Sequence, residues 1–138
     1  MSAERAELQR FVRGQIAAAD LSHREHVRLA FQMLQHHDFP ETVLHFSHAL
    51  QAMAQEAGRP ERFNQTVTIA FLGLIAQRME RAAGKDFAAF AAANPDLFDK
   101  ALLARWYRPG QLGSALARRA FLLPDPVTRN LGDAHPSS

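Results

Sequence analysis

The chain has 138 residues, 47% of them apolar and 22% charged, with 16 basic against 14 acidic side chains and no cysteine. That length suits one domain burying roughly two-thirds of its unfolded surface, and the apolar content excludes a disordered chain. Without thiols there can be no disulfide, thiol nucleophile or thiolate metal site, and the near balance of charge excludes the basic stripe of a dedicated nucleic-acid binder.

The first twenty residues alternate charges with small apolar residues and lack the apolar core of a secretory signal, so a cytoplasmic location is expected. Residues 3–19 read as a first helix, with Leu8, Phe11, Val12 and Ile16 on one stripe. Ser22 and Glu25 have the spacing of a capping box, and the helix they open buries Val27, Ala30, Phe31 and Leu34 before ending near His36-His37-Asp38. Pro40 opens a third helix, with Val43, Leu44, Leu50, Met53, Ala54 and Ala57 as its buried stripe and Gly58 closing it.

Pro60 and Gly84 then bracket a central helix, Phe63–Met79. From Val67 to Ala76 only Thr68 is polar, and an element apolar on all sides belongs inside a protein. The run is shorter than the roughly 20 apolar residues that span a bilayer, and charges flank it, so no membrane is expected as a partner. Ile69, Leu72 and Ile75 are its predicted buried residues.

Asp86 caps a short alanine-rich helix reaching Ala93, and Asn94-Pro95-Asp96 starts another that runs to about Trp106-Tyr107. After Pro109-Gly110 a last helix is predicted over about 111–122, stopped by Pro124. No period-2 pattern survives for six residues, so no sheet is expected. The predicted architecture is all-α: a single-domain antiparallel bundle of about six helices around residues 63–79, with the domain over 1–123 and a polar, mobile tail over 124–138.

All the histidines except His135 fall between residues 23 and 48, including the His-x-x-His pairs His23/His26 and His45/His48. An i, i+3 pair places two imidazoles on one helix face and can serve a metal. In an antiparallel hairpin turning near residue 39 the two pairs lie at different heights, which argues against a four-histidine site. The same path brings the first turns of the second helix level with the first turns of the central one. His23, His26, Asn64 and Thr68 then share one layer. That layer is either a ligand pocket, with His26 as base or anchor, or a set of polar side chains satisfying one another. Tyr107 and Arg118 are further candidates from the C-terminal part, the arginine as a clamp for a carboxylate or phosphate.

His23-x-x-His26-Val27, Phe63-Asn64-Gln65-Thr66-Val67-Thr68, Asn94-Pro95-Asp96-Leu97, Tyr107 and Leu112-x-Ser114-x-x-Ala117-Arg118-x-x-Phe121-x-x-Pro124-Asp125 resemble an uncharacterised family of short helical bacterial proteins, over about residues 20–125. The family's stretch reads Tyr-His-Glu-Thr-Ile-Thr, so Asn64 stands where a histidine is usual and Gln65 where a glutamate is. The resemblance implies that positions 23, 26, 64, 66 and 68 belong together, and it supplies no mechanism. A divalent metal held by His23 and His26 is weakened by Asn64, because an amide oxygen replaces imidazole poorly at a transition-metal site.

No Gly-rich phosphate loop, nucleophile elbow or paired acid cluster is present. The expected function is therefore a small-molecule binding module, or a small enzyme, built on a His/Asn/Thr pocket. The alternative is an interaction or homo-oligomerising module whose polar layer is purely structural.

Overall fold

The computed structural model describes residues 3–82 and 84–125. Six α-helices make up the fold: α1 (Ala3–Val12), α2 (His23–His36), α3 (Phe39–Glu56), α4 (Gln65–Arg81), α5 (Phe87–Ala93) and α6 (Ala115–Arg119). Short 3-10 turns at 18–20, 60–62, 95–98 and 102–105 connect them, and no strand occurs among the described residues. The expected all-helical bundle is present. Helices α2 and α3 are joined by His37 and Asp38 alone and pack on each other, and α4 lies against both. On its other side α4 meets α6 and the 102–105 turn. Residues 126–138, most of the expected tail, lie outside the described residues. Pro124 and Asp125 are held near Gln111, which donates to the Leu123 carbonyl at 3.0 Å and accepts from the Asp125 amide at 3.3 Å.

Several boundaries differ from the sequence reading, each for a local reason. Helix α1 stops at Val12 because Gly14 takes φ of 73°, a conformation that ends helices. Val12 is consequently exposed, whereas Leu8 and Phe11 are buried as expected. Ser22 caps α2 by accepting the Glu25 amide at 3.2 Å, but the reciprocal half of the box is not made. Glu25 is instead engaged by Arg28, which also reaches Glu7 of α1 at 2.7 Å. The complete capping box belongs to α3, where Asp38 and Glu41 each bond the other's backbone amide. The buried face of α3 runs through Thr42, Phe46, Ala49 and Met53, so the predicted Leu44 and Ala57 point outward.

The C-terminal third departs most. In place of a helix from 94 to 107 there are two 3-10 turns, because Asn94 and Asp96 bond Arg78 of α4 rather than capping a new helix. The Asp96 carboxylate takes both guanidinium nitrogens of Arg78 at 2.9 Å, and Asn94 Oδ1 takes a third bond at 2.9 Å. The last helix shrinks to five residues. Beyond it, Ala120 is extended, and the backbone of 120–122 bonds to side chains of other elements. Thr66 Oγ1 donates to the Ala120 carbonyl at 2.7 Å and accepts the Leu122 amide at 3.1 Å, while the Tyr107 hydroxyl donates to the Leu122 carbonyl at 2.8 Å.

Helix α4 buries Thr66, Thr68, Leu72 and Ile75, with Leu72 and Ile75 each 2% exposed. Ile69, expected in the same class, is only half-buried and faces a groove. Two outcomes follow. Leu72→Ala should cost about 2–5 kcal/mol in chemical denaturation, and Ile69→Ala about 1–2 kcal/mol because its side chain already meets water; equal costs would show that Ile69 is enclosed. Thr66→Val should cost about 1–3 kcal/mol by stranding a carbonyl and an amide. Thr66→Ser should lose much less, and the Leu122 amide should exchange faster with solvent only in the valine variant.

Candidate functional site

The polar start of α4 is occupied mainly by structural work. Asn64 is the N-cap: its side-chain oxygen accepts the Val67 amide at 3.0 Å, and its Nδ2 donates to the Leu112 carbonyl at 2.7 Å. Gln65 donates to Ser47 of α3 at 2.8 Å. Thr68 donates back to the Asn64 carbonyl at 2.8 Å, the i−4 bond open to a helical threonine. These side chains therefore tie α4 to α3 and to the C-terminal segment rather than to one another.

His23 and His26 remain. Both project from the first turns of α2 into a cleft of about 340 Å³ bounded by α2, α3 and α4. Val27, Ala30, Phe46, Leu50, Val67, Phe71, Leu72 and Ile75 form its apolar wall, and Thr68, Arg62 and Lys100 its other polar groups. His23 Nε2 donates to the Leu97 carbonyl at 3.0 Å, and its ring meets Phe71 edge-on at 5.1 Å between centroids. The bond to a carbonyl fixes a proton on Nε2, and the two contacts together fix the ring orientation. The His26 ring makes no hydrogen bond among the described residues. Its pKa is lowered to about 4, first by burial, then by His23 and by Lys100. Near neutral pH it is an uncharged imidazole, offering one donor and one acceptor to whatever enters.

A second hollow of about 250 Å³ adjoins the first and shares His26, Leu50, Arg62, Val67 and Thr68 with it, and Asn64 lines this one. The predicted layer of His23, His26, Asn64 and Thr68 is thus brought together around two adjoining hollows. Tyr107 and Arg118 are not part of it. Tyr107 lines a groove of about 350 Å³ with Ile69, Gly73 and Leu74, residues that at 100° per position lie on the opposite face of α4 from Thr68, Phe71 and Leu72. Arg118 is half-buried on α6 and lines neither hollow. Arg62 and Lys100 are the cations at the cleft, and the sequence reading missed both. An exposed lysine and arginine in connecting segments carry no pattern that sets them apart from solvated surface charges.

No family model matches the chain, and no curated protein or solved structure is similar to it. The site therefore has to be read from its own chemistry.

The metal reading does not extend beyond the two histidines. Among the described residues no group of three or more His, Asp or Glu side chains could hold a metal ion, and Asn64 is committed to its cap. A larger hollow, about 450 Å³, lies between α1 and the α2–α3 turn with His36, His37 and His45 along it. It is a surface cleft whose histidines are exposed or half-exposed, whereas the smaller cleft converges on a sheltered, unpartnered imidazole; the latter is the better site.

The depressed pKa of His26 has a consequence for stability. Between pH 6.5 and 4 the unfolded chain binds a proton that the folded chain refuses, so stability falls as the pH is lowered through that window, by up to ~1.4 kcal/mol per unit. His26→Gln should flatten the denaturation-midpoint profile over the window. In NMR the His26 ring signals should stay unshifted through pH 6–7, and an ordinary midpoint near 6.5 would show that the ring is solvated.

Proposed function

We propose that the chain is a small-molecule binding module whose ligand occupies the α2–α3–α4 cleft, with an apolar body against Phe46, Leu50, Phe71 and Leu72 and a polar end at His26. The observation that carries this is the His26 ring, half-buried, uncharged near neutral pH and without a hydrogen-bond partner among the described residues, at the edge of an apolar cleft of about 340 Å³. A cleft of that size is within the range of ligand pockets. The resemblance groups positions 23, 26, 64, 66 and 68, and of these 23, 26 and 68 line the cleft. An imidazole with pKa about 4 is a weak base near neutrality, which favours binding over proton-transfer catalysis. A chain without cysteine suits the reducing cytoplasm, where we place it.

One observation favours the interaction module as a second reading: the groove across α4 is bordered by the exposed Phe39, Trp106 and Phe121. Exposed apolar patches of that kind mark contact surfaces.

One set of measurements separates the two. Under the first reading, members of a library of small apolar acids, alcohols and amides shift the His23 and His26 ring signals and raise the melting temperature by several degrees at saturation. Leu50→Trp, which fills the cleft, should abolish both effects while keeping the helical circular dichroism. If no compound moves these signals, and sedimentation shows self-association that Trp106→Glu disrupts, the interaction module is correct.

A further inference from the structure

The cleft has a polarity of its own. Its floor is hydrocarbon, and its charged residues are both cations, Arg62 from the turn before α4 and Lys100 from the break between the 95–98 and 102–105 turns. No Asp or Glu lines the cleft or the hollow beside it. The arginines that tie elements together are paired, Arg28 with Glu7 and Glu25 and Arg78 with Asp96, whereas the two cations at the cleft are not part of such a tie. Arg62 and Lys100 have no ion pair or hydrogen-bonded side-chain partner among the described residues. Two cations from segments far apart in the chain are thus directed to one apolar opening with their donors unspent. Lys100 is close enough to His26 to contribute to keeping that ring uncharged.

From this arrangement we infer that the cleft takes an amphiphilic monoanion, a carboxylate on a short hydrocarbon body, with the carboxylate between Arg62 and Lys100 and the hydrocarbon against Phe71 and Leu72. The inference rests on the small-molecule reading above and narrows it to one chemical class. A cleft of about 340 Å³ lies at the small end of ligand pockets, which suits a short hydrocarbon body such as that of octanoate. Charge-assisted hydrogen bonds from guanidinium and ammonium groups supply the recognition, and the uncharged His26 ring can donate a further one without a proton having to be taken up.

Octanoate and 1-octanol share their hydrocarbon body and differ in the head, so titrating each into the whole chain at pH 7.5, by calorimetry and by histidine NMR, tests the inference. The expected result is that octanoate binds at least tenfold more tightly than octanol and that both shift the His23 and His26 ring signals. Arg62→Gln and Lys100→Met should each remove most of the preference while leaving octanol affinity within about twofold. Both side chains are exposed, so these variants should fold as the parent does. Equal binding of octanoate and octanol, with the histidine signals shifting, overturns the anion assignment and leaves the small-molecule reading standing. Octanoate binding that leaves those signals unmoved, or that survives Lys100→Met unchanged, also overturns it. Failure of both compounds to bind, in a chain that also fails the library screen, removes the cleft as a ligand site altogether.

Discussion

A helix that is apolar around its whole circumference must be covered on every side, and the rest of this structure is the chain's means of covering α4. Helices α2 and α3 take one side, with Val27, Ala30, Phe46 and Met53 in the shared core. The other side cannot be closed by a long helix, because only the residues after Arg81 remain and Gly84, Pro95, Pro109 and Gly110 keep breaking them. The chain covers that side with short turns and a five-residue helix, which bring little apolar area and several unpaired backbone groups.

Those backbone groups explain the polar residues at the start of α4. Thr66 is 0% exposed and bonds both a carbonyl and an amide of the C-terminal segment, Asn64 bonds the Leu112 carbonyl, and Tyr107 bonds the Leu122 carbonyl. A buried threonine in an apolar helix would otherwise be a liability. Here its hydroxyl takes the place that a longer last helix would have filled. Arg78 does the same at the opposite end of α4, fixing Asn94 and Asp96, and its guanidinium holds the Asp96 carboxyl below the usual carboxylate range.

The cover leaves gaps on both sides of α4. On one face is the cleft with His23, His26 and Thr68, and on the other the groove with Ile69, Gly73 and Tyr107. The first gap gains its chemical character from what borders it: imidazoles from the start of α2, and cations from two connecting segments. A site placed where packing is incomplete costs little stability to keep open, since no core side chain is displaced to make it.

Much of the fold was legible in the sequence because it depends on local chemistry. The caps at Ser22 and Asp86, the closures at Gly58 and Gly84, and the apolar run of α4 each act within a few residues. The level meeting of His23 and His26 with Thr68 followed from helix rise and short connections alone. What the sequence could not settle was which partner a polar group would choose. Glu25 could serve the Ser22 cap or Arg28, Asp96 could start a helix or hold Arg78, and Thr66 could bond its own helix or a segment 54 residues away. Each choice is between bonds of similar local strength, so long-range packing decides it. The same holds for Arg62 and Lys100: their residue types are ordinary, and only the tertiary structure brings both to the lining of one apolar cleft.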